Sequence, residues 1–194
     1  MQARRLEEAA ADLEAAAALR PDLAEAHRAL ARVRLQQGRH AEAVEVMARV
    51  VALDPSDAVT HAKLADELLR LRRPALAVTH FRAALALRPD LTTADSSARW
   101  ANNLAWILAT SRDASLRNGD EAVLWATRAS EAFGADNASA LDTLAVALAE
   151  AGRFEEALAV ARRLEVLAGD KLEDRKAAQA RIAAFEASQP VRED

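Results

Sequence analysis

The chain has 194 residues, 26 basic against 30 acidic side chains, a formal net charge of −4, 52% hydrophobic content and only 4% aromatics. That length accommodates one or two compact domains with a buried core, and so balanced a charge supplies no field that would argue for nucleic acid or an anionic membrane surface. The absence of cysteine excludes a disulfide framework, a thiolate metal site and a thiol nucleophile. Residues 1–8 turn acidic where a secretory signal would become apolar, and no stretch approaches the ~18 uninterrupted apolar residues of a membrane span. The reading is a soluble chain without direct membrane insertion, with the cytoplasm favoured.

In chain order, residues 2–20 carry one apolar stripe, Ala9, Leu13 and Ala16, closed by Pro21. They read as the second half of a helix pair whose first half is missing. Leu6 and Leu13 are therefore expected to present an apolar face with nothing upstream, a motive for self-association through this half repeat (residues 1–23). Residues 24–57 and 58–91 each read as a helix–turn–helix. Leu30-Ala31 and Leu64-Ala65 mark the first helices, Ala43-Val44 and Ala77-Val78 the second. Ala31 to Ala65 is 34 residues, as is Ala43 to Ala77, and Pro21, Pro55 and Pro89 step by the same 34. Each of these prolines closes a helix, because it lacks an N–H and its ring clashes with the preceding turn. Pro74 instead suits the first turn of a second helix, where the missing N–H is no loss.

The next unit, residues 92–137, is stretched. Ala65 to Ala105 is 40 residues and Ala105 to Ala122 is 17, against 34 and 12 in the regular units. The first excess implies a longer linker or a lengthened helix through 91–97, the second a longer loop through 110–119. Residues 138–169 return to the pattern with Leu144-Ala145, the turn Ala151-Gly152-Arg153 and Ala157-Leu158. Gly134 and Gly169 sit where second helices end. Residues 170–187 read as a polar-faced capping helix on Leu172, Ala178, Ile182 and Phe185, and 188–194 as a disordered tail.

A fixed period of this length denotes a stack of like units. The 34-residue helix pair with Leu-Ala in its first helix, Ala and a large apolar residue in its second and a closing Pro resembles the tetratricopeptide repeat. Residues 24–57 carry Leu30, Ala31, Gly38, Ala43, Met47 and Pro55 at the family's positions, and 58–91 carry Leu64, Ala65, Ala77, Phe81, Ala84 and Pro89. From Ala138 onward come Leu141, Leu144, Ala145, Leu148, Gly152 and Ala157, with Gly169 where Pro would sit. The stretch 102–110 resembles a variant repeat found near the C-termini of larger bacterial members. The resemblance implies an all-α fold: a right-handed α-solenoid of tetratricopeptide repeats over residues 1–187, ending in a capping helix. It also implies a non-enzymatic scaffold that binds a partner protein or peptide in the concave groove. Two alternatives stay open: an accessory C-terminal region of a larger, membrane-bound enzyme, or a self-assembling module.

The same resemblance places first-helix residues on the concave face. These include Arg28, Arg32, Lys63, Asp66, Arg70, Asn102, Asn103 and Trp106. Arg28 and Arg32 lie four residues apart with Lys63 one unit on, a basic surface whose guanidinium forks suit carboxylates. An acidic peptide or a chain terminus is the favoured ligand. The plainer account is solvated charge partly neutralised by Glu25 and Asp66. The set departs from the Lys/Asn pattern of the chaperone-tail clamp, so that specificity is not carried over. Asn102 and Asn103 are poor helix formers whose amides suit the backbone of an extended peptide, or else the capping of the long loop. Trp106 is a hot-spot type of residue, or else the local core beneath that loop.

Catalytic chemistry finds no foothold. His27 and His61 share a repeat position in which the family usually has an aromatic, and His40 and His80 fall at a turn and in a second helix. No third ligand stands at metal spacing. There is no Gly-rich phosphate loop, no G-x-S-x-G and no Ca²⁺ loop. No catalytic, cofactor or metal residue is therefore assigned.

Overall fold

The computed structural model describes residues 2–94 and 96–192. Its regular elements are all helices: α1 (Gln2–Leu19), α2 (Ala24–Gln36), α3 (His40–Leu53), α4 (Ala58–Arg70), α5 (Pro74–Ala86), α6 (Ser97–Thr110), α7 (Gly119–Phe133), α8 (Ala138–Glu150), α9 (Phe154–Ala168) and α10 (Leu172–Glu186). They form two compact units, Met1–Arg88 and Pro89–Asp194.

In the first unit, α2 pairs with α3 and α4 with α5, and the tight turns inside both pairs close alike. Gly38 lies at φ +73°, and the Arg39 amide reaches back to the Arg34 carbonyl at 2.9 Å. Between α4 and α5 the left-handed position falls to Arg72, at φ +58°, with the Arg73 amide on the Leu68 carbonyl at 2.8 Å. This closure satisfies carbonyls that a helix end would leave orphaned. Pro74 opens α5 at its first position. The core is the expected interleaving of alanine with larger residues: Ala43, Met47, Val50, Leu64, Ala65, Leu68, Ala77, Phe81 and Leu85 are all buried.

The N-terminal helix departs from expectation. Leu6, Ala9 and Leu13 pack with Ala10 against Leu30, Val33 and Val46, so the apolar face of α1 is covered from within the unit. Arg34 reinforces the join: its buried guanidinium pairs with Glu14 on α1 and, at 3.1 Å, with Glu42 on α3. The stripe that looked bare is the stripe that docks α1.

In the second unit both excesses are irregular chain rather than added helix. Before α6 the linker folds back. The Ser97 hydroxyl, fully buried, accepts the Thr92 amide at 2.8 Å, and the Ala98 amide reaches the Thr92 carbonyl at 3.1 Å. After α6 the loop returns its last residue to the helix it left, the Asn118 amide donating to the Leu108 carbonyl at 3.0 Å. The Asn118 side chain then caps α7, accepting from the Glu121 amide at 3.1 Å. Gly119 follows where backbones nearly touch: a Cβ there would lie 2.7 Å from both Ala151 Cα and Ala151 N. Alanines dominate this core, with Ala101, Ala105, Ala122, Ala126, Ala145 and Ala161 fully buried. Trp100 of α6 and Phe185 of α10 are buried as well, and α10 packs on α9.

Candidate functional site

The first unit holds a groove of about 760 Å³. Its apolar lining comes from Leu35 on α2, Met47 and Val50 on α3 and Val59 on α4. Around that lining stand Arg28, Arg32, Lys63 and Arg88, facing Glu25, Asp54 and Asp57. Arg28 and Arg32 stand one helical turn apart on α2, Lys63 comes from α4, and Asp54 and Arg88, 34 residues apart, follow the second helices of their pairs.

These charges divide into two sets. Arg28 is held by three carboxylates: Nε to Asp57 Oδ2 at 2.7 Å, Nη2 to Asp54 Oδ2 at 2.5 Å and Nη1 to Glu25 Oε1 at 2.5 Å. The Asp57 hydrogen bond raises the Arg28 pKa, with burial opposing. Asp54 is held below its ordinary range, first by the Ser56 hydroxyl at 2.7 Å. For Asp57 burial pushes upward, but hydrogen bonds from the Thr60 hydroxyl and amide and from Arg28 outweigh it, and the carboxyl is lowered. Asp57 thereby caps α4 and ties α2 to the turn before α4. Arg28 is a structural cross-link in the groove wall.

Arg32, Lys63 and Arg88 are exposed and have no ion pair or hydrogen bond among the described residues. Asp66 and Arg70 lie farther along α4, outside the lining. Arg70 pairs with Glu67, which also holds His40 Nδ1 at 2.7 Å. Arg88 escaped sequence reasoning because it reads as a helix-end residue. The signal was present, for Asp54 and Arg88 each precede a repeat proline and share a register.

In the second unit Trp106 on α6 is half-buried, with the Arg181 guanidinium of α10 standing 5.7 Å from its ring centroid. Arg181 is fixed in turn by Asp142 of α8, at 3.0 and 3.3 Å. Asn102 and Asn103 lie half-buried one turn earlier on α6, and Asn102 Oδ1 is buried with no hydrogen-bond partner. The long loop is anchored elsewhere: Arg117 donates to the Ser111 and Arg112 carbonyls and, through Nε at 3.1 Å, to Glu150.

The histidines also separate. His27 approaches the Pro21 carbonyl at 3.1 Å, whereas His61 pairs with His80, Nδ1 to Nδ1 at 3.0 Å. One ring donates and the other accepts, which requires both to be uncharged or one charged. Burial, then the charge of His61, lowers the His80 pKa. No group of three or more metal-ligating side chains occurs among the described residues, and no described helix is long and apolar enough to cross a membrane.

A tetratricopeptide repeat family model matches residues 1–58 and 62–116, more than half of the chain. The chain belongs to the tetratricopeptide repeat family. Its all-α helical-repeat fold is that of solved family members. The tetratricopeptide protein YrrB, described as having an unusual peptide-binding site, superposes with a TM-score of 0.73 at 19% identity, over 91% of this chain and 84% of that one. MamA from Desulfovibrio magneticus gives 0.59 at 17%, over 85% and 94%. The thermophilic tetratricopeptide protein TTC0263 from Thermus thermophilus gives 0.53 at 22%, over 92% and 91%. No curated protein matches the chain. Tetratricopeptide repeat proteins as a class mediate protein–protein interaction, and identities this low carry the fold alone.

Proposed function

We propose that the chain is a non-enzymatic scaffold that binds an acidic, extended peptide segment of a partner protein in the groove of its first unit. One observation carries the reading: three unpaired cations, Arg32, Lys63 and Arg88, stand around an apolar lining. Unpaired exposed charge costs little and gives a carboxylate-bearing ligand a direction of approach. The lining of Leu35, Met47, Val50 and Val59 supplies the area that charge alone does not, because exposed ion pairs contribute only about 0–1 kcal/mol each. Arg28 takes a supporting part: it holds the wall, and Glu25, Asp54 and Asp57 around it repel acidic groups that arrive on the wrong side.

The test is an array of synthetic peptides graded in charge and aliphatic content, probed with the native chain and with Arg32→Glu/Lys63→Glu. Because neither side chain has an internal partner, the variant should keep its circular dichroism spectrum and melting temperature. Acidic peptides with an aliphatic residue should bind best, and the double reversal should weaken them roughly tenfold or more, with a steep salt dependence. Binding indifferent to peptide charge, or unchanged by the double reversal, would overturn the reading.

A further inference from the structure

The second unit contains a position for a guanidinium where two helix C-termini meet. After α10 the chain turns sharply: Ser188 lies at φ +54°, and the Gln189 amide closes the helix on the Ala184 carbonyl at 2.9 Å. Pro190 then keeps its predecessor extended, and Pro190 and Val191 are half-buried. Arg192 arrives at the ends of two helices. Its Nη1 lies 2.6 Å from Glu150 Oε2, at the last residue of α8, and donates at 3.4 Å to the carbonyl of Ala109, next to the last residue of α6. Residues 188–192, read from sequence as tail, thus lie along the unit; Glu193 and Asp194 fall outside the described residues.

Three features make this a cation seat. Helix C-termini concentrate the negative end of the backbone dipoles, and α6 and α8 both end here. The Glu150 side chain is only 11% exposed, and so buried a carboxylate requires a cation beside it. Its Oε1 is taken by Arg117 Nε, but Oε2 has no in-line hydrogen-bond donor even with Arg192 Nη1 nearby. Arg192 therefore supplies charge without completing the hydrogen bonding, and its own side chain stays about one-third exposed, at 32%. It fills the seat without saturating it.

We propose that the ends of α6 and α8 form a recognition site for an arginine in an extended peptide, occupied in cis by Arg192. A partner segment bearing an arginine takes the site by displacing residues 189–192. The ligand is the electrostatic opposite of the one the first-unit groove selects, and the site stands whether or not that groove binds acidic peptides. The cis occupant makes it selective, because a ligand must displace Arg192 and apparent affinity falls by the fraction of chains in which the seat is closed.

The test uses the full chain, the variant Arg192→Ala, and a synthetic peptide copying residues 188–192, followed by two-dimensional amide NMR. Arg192 is partly exposed and follows the last helix, so the variant should retain its amide dispersion. Saturable shifts of the Ala109 and Glu150 amides are expected in the variant, at an affinity roughly tenfold or more above that for the native chain, whose seat is filled. The same peptide carrying citrulline, which keeps the shape and removes the charge, should not bind. Equal affinity for the native chain and the variant, no saturable shift in the variant, or equal binding of the citrulline peptide would each overturn the proposal.

Discussion

The two units use their arginines in opposite ways. In the regular first unit, cross-linking is done by Arg28 and Arg34, and Arg32, Lys63 and Arg88 are left without partners around a groove. In the stretched second unit Arg117 fastens the long loop, Arg128 reaches the Pro89 carbonyl, Arg181 bridges α10 to α8, and Arg192 lies on Glu150. The difference follows from chain irregularity. Standard turns satisfy their own backbone groups, so cations of a regular repeat that meet no carboxylate, such as Arg32, stay available. Inserted segments leave carbonyls and carboxylates that must be met, and the nearby guanidiniums meet them.

The contrast is broken first at its cores. Phe81 of α5 is fully buried, and Phe81→Ala should cost about 3–5 kcal/mol in urea unfolding followed by circular dichroism. A loss below ~1 kcal/mol would mean that the unit collapses around the cavity and that its groove is not built on a rigid core.

Next in size is Gly119→Ala in the second unit. Within a helix, Gly to Ala ordinarily stabilises by up to ~1 kcal/mol. Here the added Cβ would meet Ala151 backbone atoms at 2.7 Å, and overpacking against backbone should reverse the sign, to a net loss of about 1–3 kcal/mol. A stabilised variant would show that the long loop is not pinned against the turn between α8 and α9.

The smallest effect sharpens the comparison through pH. The folded state lowers the His80 pKa by burial and by the charge of His61. A base with a depressed folded pKa contributes stability that is present above its ordinary value, near 6.5, and is lost as pH falls below it toward the folded pKa. The first unit should therefore weaken on acidification through that window, and His80→Gln should flatten the profile. Hydrogen exchange resolved by helix distinguishes α4 and α5 from the second unit. An unchanged profile in His80→Gln would remove the imidazole pair as the cause.

Much of the fold was legible because it is periodic. Spacings of 34 residues and the positions of Pro21, Pro55, Pro74 and Pro89 carry the helix pairs, since proline and glycine constrain the backbone wherever they occur. Arg72 escaped this reasoning: its left-handed conformation is imposed by the turn geometry that Gly38 and Gly152 share, and an arginine gives no local sign of it. The site was legible in part. The helical period set Arg28 and Arg32 on one face of α2 with Lys63 on the next first helix, and the 34-residue step from Asp54 to the residue before Pro89 would have added Arg88. It did not separate engaged from free cations, because Asp54 and Asp57 reach Arg28 across 26 and 29 residues.

The sequence by itself determined the class of fold, the helix pairs and which positions point together, because each follows from local steric rules and a fixed helical period. Only the tertiary structure decided how α1 covers its apolar stripe, that the first insertion is linker rather than added helix, and which arginines are tied down. Those outcomes depend on contacts between residues distant in the chain, where partner choice rests on three-dimensional proximity and desolvation. Glu150 and Arg192 illustrate the point: 42 residues apart and unremarkable in sequence, they meet because two helices end at one place.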